Sequence, residues 1–391
     1  MHRLPDGEGM VLVEDIISRW NAEHPDIQVT SNKFMGSSGD MTTRLETDIR
    51  AGVGPCLAQL EYVEVADMFV RGMVMDVTEF AQQYADSFAP AAFAGMSVGD
   101  IIVGLPQDTG PLVYFYNATE FERLGIEVPT TMAEFVEAAR VAHADGKYIA
   151  AFTTDDSAMW LAGQAAAAGD VWFQTADDEW IVEANGPGSQ RVAAFWQEML
   201  DDGSVFVTPR WSDTFSNAIA DGSLIGYIGA AWNANSVLDP LDGTDMEGQW
   251  RVTQIPDYGA GAMTGPQGGS GVAVMTGCDH PEEAMAFNHW FNTQIDDLAS
   301  QGLVTAAIGE EPTSERQLRQ FGGQDIMAEM RVANNNMNEE FVFAPGWAAQ
   351  SVMNQVAANA GEGSASVMDI FDTAQSTGVA ALHDLGLPVA E

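Results

Sequence analysis

Thr131-Met132-Ala133-Glu134-Phe135-Val136-Glu137-Ala138-Ala139-Arg140-Val141-Ala142-His143-Ala144, with Tyr148-Ile149-Ala150-Ala151-Phe152 close behind, decides the fold class. Thr131 and Glu134 occupy the two positions of a capping box, in which hydroxyl and carboxylate each satisfy an amide left open at a helix start. Phe135, Ala138, Ala139 and Ala142 then line one helical face. Tyr148 to Phe152 is a short apolar run of strand length. A helix leading into a buried strand is the repeating step of an α/β chain.

The same alternation extends in both directions. Leu12, Ile16 and Trp20 fall at spacing four, with Val13 and Ile17 beside them, and His24-Pro25-Asp26 stops that helix, since Pro disfavours helix at the residue before it. Ile27 to Phe34 reads as a strand, Met41, Leu45 and Ile49 as a helix face, and Cys56 to Leu60 as a buried strand. Ile101–Val103 and Val113–Tyr116 are two more strands. Helices are expected at Ser157–Ala168 and at Ser189–Leu200, the latter stopped by Asp201-Asp202-Gly203. Strands follow at Leu224–Ile228, Arg251–Ile255 and Gly271–Met275. A helix capped by Asp279 runs from Pro281 to about Asn292, and two more lie near Ala348–Ala358 and Ser366–Leu382. The expected class is α/β with mainly parallel sheets. No repeat and no low-complexity linker divides the chain, so two lobes would be joined by a backbone that crosses between them more than once.

Composition excludes several functions. The 391 residues carry 57 Asp+Glu against 15 Lys+Arg, a net charge of −42, and such a field repels nucleic-acid phosphates and anionic membrane surfaces. With 46% hydrophobic and only 18% charged residues, the chain can bury a large core and is not disordered. Lys33 and Lys147 are its only lysines. The acidic surface is read as a solubility device, with a salty or extracellular setting as the sharper alternative. Cys56 and Cys278, far apart and in no CxxC pattern, are expected to be two unrelated buried thiols, with a single long-range disulfide left open. No apolar run of about 18 residues marks a membrane span. Met1 to Gly7 lacks the apolar region of a signal peptide.

The search for chemistry returns little. There is no P-loop, no GxSxG elbow and no HExxH, and the six histidines include no pair at metal-ligand spacing. Gly268-Gly269-Ser270-Gly271 precedes a strand, the wrong order for a dinucleotide fingerprint. No cofactor and no metal is expected. Asp155-Asp156 reads as an exposed acidic turn. The aromatics are more informative. Of ten tryptophans, Trp160, Trp232 and Trp347 stand near strand ends or helix starts, beside Gly, Asn or Asp. An indole placed there can offer a flat face to the C–H face of a sugar while nearby carboxylates and amides take hydroxyls. Trp20, Trp196 and Trp290 fall on helix faces and read as core.

Four segments carry a family likeness. They are Trp20-Asn21-Ala22-Glu23-His24-Pro25-Asp26-Ile27-Gln28-Val29; Gly104-Leu105-Pro106-Gln107-Asp108-Thr109-Gly110 running on through Tyr114-Phe115-Tyr116-Asn117 to Phe135; Gly226-Tyr227-Ile228-Gly229-Ala230-Ala231-Trp232; and Gly268-Gly269-Ser270-Gly271-Val272-Ala273-Val274 with Pro281-Glu282-Glu283-Ala284. In order and spacing the chain resembles the extracellular solute-binding proteins of bacterial ABC importers, in the carbohydrate-binding, maltose-binding-protein-like group. The resemblance implies two α/β lobes with a ligand cleft between them, here residues 1–112 plus 273–312 and residues 113–272 plus 313–391. Crossings would lie near Pro111–Tyr114, Gly269–Ala273 and Ala307–Arg319. It places candidate ligand contacts at Ser37, Ser38, Glu61, Asp108, Trp160, Trp232, Asn233, Gly269, Ser270 and Trp347. Asp108 would accept sugar hydroxyls, while Trp232 and Trp347 would stack on rings. An Asx turn is the alternative for Asp108. The family begins with a strand behind a signal peptide and a lipidated cysteine, and Met1–Leu4 is too short to supply that whole strand.

What the resemblance implies is a monomer that captures a neutral oligosaccharide by hinge closure and delivers it, unaltered, to the transmembrane subunits of an ABC permease. It would work outside the cell or in the periplasm, as a lipoprotein. A carbohydrate-active enzyme with paired carboxylates is the main alternative, and a surface adhesin a second. An uncharged sugar is indifferent to the acidic field, whereas an anion would need an arginine cluster that the sequence does not show.

Overall fold

The structure, a computed structural model, describes residues 1–7, 10–36, 38–310, 312–345 and 350–390. It comprises two compact units. The first is Met1–Thr109, Gly268–Pro312 and Val342–Gly346; the second is Gly110–Gln267, Thr313–Phe341 and Trp347–Glu391. The sequence placed divisions after residues 112, 272 and 312. The units divide after 109, 267 and 312, and the short 342–346 return was not foreseen. Strand Gly104–Asn117 carries the chain out of the first unit, and strand Pro266–Val274 brings it back.

In the first unit, strand Leu57–Glu61 pairs antiparallel with the end of Pro266–Val274, in register Leu57↔Val274 to Glu61↔Ser270. Helices Val13–Glu23, Ser38–Arg50, Tyr62–Val70 and Pro281–Asn292 cover these strands. Their apolar faces supply Ile16, Trp20, Leu45, Val65, Met68, Met285 and Phe287, all buried. Gly104 is required by packing: a Cβ there would lie 2.1 Å from the Val272 carbonyl oxygen. Among the described residues the expected Ile27–Phe34 strand is reduced to one bridge, His2↔Lys33, with His2 N–H donating to the Asn32 carbonyl and Phe34 N–H to that of His2.

Cys56 and Cys278 form a disulfide, which overturns the expectation of two unrelated thiols. The strand register explains the pairing. Leu57 faces Val274, so Cys56 meets Met275, whose amide donates to the Cys56 carbonyl. The turn after Met275 then returns Cys278 to the same place, its amide bonded to the Met275 carbonyl.

In the second unit, the Leu112–Asn117 part of the long strand is flanked by Gly226–Ala230 and Trp250–Gln254, both antiparallel. Ala151–Thr153 pairs parallel with Phe206–Thr208. Among the described ladders this is the one parallel pairing, so the mainly parallel sheets expected from strand–helix alternation are not what forms. Parallel neighbours elsewhere reach only single bridges, such as Tyr148↔Leu224. The capping box opens helix Met132–Ala144 as expected, with Glu134 N–H donating to the Thr131 hydroxyl and Glu134 accepting from Thr131 N–H. The core is aromatic: Tyr114, Phe135, Phe152, Trp160, Trp172, Trp196, Trp250 and Tyr258 are all buried.

Candidate functional site

Each unit holds one group of the candidate residues. In the first, Asp108 lies near the end of that unit's share of the long strand and is buried to 8% exposure. The Ser270 hydroxyl donates to its Oδ1, and the Tyr62 hydroxyl donates to its backbone carbonyl at 2.8 Å. Glu61, opposite Ser270 in register, ends its strand and accepts from Arg3 Nη2 at 2.7 Å. Glu61 N–H donates to Glu64 Oε2 at 2.9 Å at the start of helix Tyr62–Val70. Gly269 sits at φ +103°, and a Cβ there would lie 2.7 Å from the Tyr62 ring, so glycine is needed both for backbone conformation and for room.

The electrostatics of this group follow from burial. Asp108 is pushed up to about 7, mainly by desolvation; hydrogen bonds from Ser270 and the charge of Arg3 pull it down, and Glu61 pushes it up. Glu64 is raised by burial and by Glu61, against the Thr42 hydroxyl, which donates to it at 2.7 Å. Near neutrality, Asp108 can therefore exchange between an acceptor-only carboxylate and a carboxyl with a proton to donate.

The second unit presents indoles. Trp232 is half-buried in the turn that follows strand Gly226–Ala230, and its Nε1–H donates to the Gln267 carbonyl at 3.0 Å. Trp211 lies parallel to it, with ring centroids 6.0 Å apart and planes 4° from coplanar. Trp211 is 61% exposed, so an indole face is open to solvent. The Arg210 guanidinium, buried, lies 4.7 Å from the Trp211 centroid and 4.3 Å from that of Phe215. Its Nη2 donates to Asn233 Oδ1 at 2.6 Å. Asp155 accepts from the backbone amides of Arg210 and Trp211, fixing the loop between strand Phe206–Thr208 and helix Asp213–Ala220. The Asp155-Asp156 pair is thus a structural turn here, with Asp156 accepting from Gln267 Nε2.

Two of the expected contacts, Trp160 and Asn233, are buried in packing. Trp160 offers no face: it is fully buried, its ring packs on Phe152 and Trp196, and its Nε1–H donates to the Ile228 carbonyl at 2.7 Å. Helix Ser157–Ala167 is apolar nearly all round, which is why it sinks into the core. Asn233 is also buried, its Oδ1 taken by Arg210 and its Nδ2 donating to the Ala230 carbonyl. Ser38 is the first residue of its helix, where its carbonyl accepts from Thr42 Oγ1. Ser37 and Trp347 lie outside the described residues.

Two residues went unread in the sequence. Tyr62 holds the backbone of Asp108, and Trp211 completes the indole pair. Trp211 had a signal: Arg210-Trp211-Ser212 sits between a strand end and a capped helix, the same kind of position that drew notice to Trp232.

Comparison with known proteins bears on the whole chain. Residues 15–300 match the family model described as bacterial extracellular solute-binding protein. The galacto-N-biose/lacto-N-biose I-binding protein of an ABC transporter from Bifidobacterium longum, solved in complex with lacto-N-biose, is 47% identical, with a TM-score of 0.93 over 100% of this chain and 98% of that one. An ABC transporter associated binding protein from B. animalis subsp. lactis, solved with β-1,6-galactobiose, shares the fold at a TM-score of 0.78 and 21% identity, over 97% of both chains. An arabinooligosaccharide-binding protein of Bacillus subtilis is 21% identical over 70% of this chain, and the matched segment spans 64% of that protein's length. Among the described residues, no helix is long and apolar enough to cross a membrane.

Proposed function

Because the chain belongs to the bacterial extracellular solute-binding protein family, we propose that it is the capture component of an ABC importer and holds a neutral disaccharide or short oligosaccharide without altering it. The observation that carries this reading is the 47% identity, over the full chain, to a protein solved with lacto-N-biose. The two candidate groups support it. Asp108 with Glu61 is an acceptor set suited to sugar hydroxyls, and the open face of Trp211 beside Trp232 suits the C–H face of a pyranose. The net charge of −42 does not oppose a neutral ligand.

The family and its neighbours are binding proteins of importers, and that this chain performs no chemistry is part of the proposal. So are its partner, a membrane permease, and its place outside the cytoplasm. The Cys56–Cys278 bond fits an oxidising compartment, and a 22% identical relative from Streptomyces antibioticus is described as a lipoprotein. Calorimetric titration with lacto-N-biose, galactobiose and arabinooligosaccharides tests the reading, with mass spectrometry of the recovered sugar. Saturable binding with the sugar recovered intact is expected. Shortened products would establish the enzyme instead, and no binding to any neutral glycan would overturn the carbohydrate assignment.

A further inference from the structure

Behind Asp108, within the first unit, runs a connected line of polar side chains. Gln59, Gln107, Asp108, Ser270, Asn288 and Asn292 are each more than nine-tenths buried, with exposures of 6%, 1%, 8%, 5%, 1% and 0%. They come from three strands and the helix Pro281–Asn292. Asn288 Nδ2 donates to the Val272 carbonyl at 2.7 Å, and Asn292 Nδ2 donates to Asn288 Oδ1 at 2.6 Å. Gln107 Nε2 donates to Asn292 Oδ1 at 2.9 Å. Gln59 Nε2 donates both to Gln107 Oε1 at 2.9 Å and to Ser270 Oγ at 3.0 Å.

The direction of this line is not free. At one end the Arg3 backbone N–H, which can only donate, meets Gln59 Oε1 at 2.8 Å. At the other, the Val272 carbonyl, which can only accept, meets Asn288 Nδ2. Backbone groups of fixed polarity at both ends leave one orientation for every amide between them. Both hydrogens of the Gln59 amide are then spent. The Ser270 oxygen receives one of them, so the single hydrogen of its hydroxyl is directed to Asp108 Oδ1. The Ser270 backbone N–H donates to the same carboxyl, so Ser270 holds Asp108 through both its hydroxyl and its amide.

We propose that Gln59 is a positioning residue for ligand recognition: by donating to Ser270 it commits that hydroxyl to Asp108 Oδ1 and so fixes the orientation in which the carboxyl meets a sugar hydroxyl. The inference rests on the reading of Asp108 as a ligand contact. The relay explains why so many amides are buried together, since a fully satisfied network is rigid, and one lost member strands its neighbours. The groups that face Asp108 are Ser270 and Tyr62, with Glu61 and Arg3 as the nearby charges and Glu64 behind Glu61. Burial holds the Asp108 carboxyl near 7 while the bonds from Ser270 restrain it. Loosening Ser270 therefore raises the carboxyl further and protonates Asp108 at pH 7.

The test combines Gln59→Leu, Ser270→Ala and the double variant, with Asp108→Asn as reference. Lacto-N-biose affinity is measured from pH 5 to 9, and a carboxyl ¹³C NMR titration of the ligand-free protein follows Asp108 by its loss in Asp108→Asn. Gln59→Leu is expected to weaken binding about tenfold at pH 7 and to move the Asp108 midpoint upward. Ser270→Ala is expected to do the same, and the double variant to be no worse than Ser270→Ala alone, because the two act through one hydroxyl. If Asp108→Asn weakens binding while Gln59→Leu changes neither affinity nor midpoint, the positioning role is overturned and the Asp108 reading stands. If Asp108→Asn binds as wild type does, the Asp108 reading falls and takes the positioning role with it. Should Gln59→Leu fail to fold, Ser270→Ala carries the same comparison, and an unmoved midpoint there overturns the proposal.

Discussion

Trp211→Ala separates the indole reading from mere packing. Trp211 is 61% exposed, and a Trp side chain presents about 250 Å² of surface, so roughly 150 Å² is open to solvent. A sugar laid on one ring face would cover about half of that, ~75 Å². At about 25 cal/mol per Å², the contact contributes about 1.9 kcal/mol, a factor of roughly 20 in Kd. The cost to folding is smaller, because Trp211 is mostly exposed and the ring contacts it makes among the described residues are with Trp232 and the Arg210 guanidinium, together on the order of 1 kcal/mol. For a unit of this size that is a Tm shift of about 2–4 °C. Calorimetric titration with lacto-N-biose, alongside thermal unfolding by circular dichroism, reads both quantities. A variant that binds within twofold of wild type refutes the argument, and so does one that loses affinity only in proportion to a collapse in Tm.

Three further outcomes follow from the geometry. Trp160→Ala removes a fully buried indole and its bond to Ile228, so it is expected to cost about 3–5 kcal/mol and lower Tm by roughly 6–20 °C in calorimetry, and a drop below about 2 °C would contradict its place in the core. Replacing Cys56 and Cys278 together by Ala opens a loop of 222 residues and is expected to destabilise the first unit by about 2–5 kcal/mol in a urea titration; a midpoint identical to that of the oxidised protein would mean that the bond adds nothing to the fold. Asp108 titrates near 7 when folded and near 3.8 when unfolded, so between these values the folded state holds the extra proton and stability attributable to this group falls as pH rises. Asp108→Asn lacks that titration, and its Tm should gain on wild type from pH 4 to pH 7; a difference that stays constant across this window would contradict the account.

What the sequence revealed depended on whether the signal was local. Helix Met132–Ala144 was readable from its capping box, because caps act within a few residues. Pro281–Asn292 forms as expected, but Asp279 does not cap it, since His280 is the N-cap residue and makes no side-chain cap bond, and the Pro that opens the helix needs none for its missing N–H. The Ile27–Phe34 strand was misread because a ladder needs a partner elsewhere in the chain, and among the described residues the pairing there amounts to the single bridge His2↔Lys33. The disulfide was hidden for the same reason: it follows from the register of Leu57 against Val274, which no local pattern encodes. Trp160 and Trp211 make the point most sharply for the candidate site. Both follow strand ends, yet one sinks into Phe152 and Trp196 while the other is held outward by Arg210. Position along the chain marked where indoles could be presented, and depth of packing decided which of them is. Asp108 was legible as a candidate from its motif, but the amides behind it were not, since Gln59, Ser270 and Asn292 meet only once the strands and helix are assembled.

The most direct test of the account is titration of the purified protein with lacto-N-biose, followed by mass analysis of the sugar recovered from the complex. One saturable site, weakened about 20-fold by Trp211→Ala and returning the disaccharide intact, is the expected result. Heat absent across a panel of neutral glycans, or monosaccharides in the recovered fraction, would contradict it.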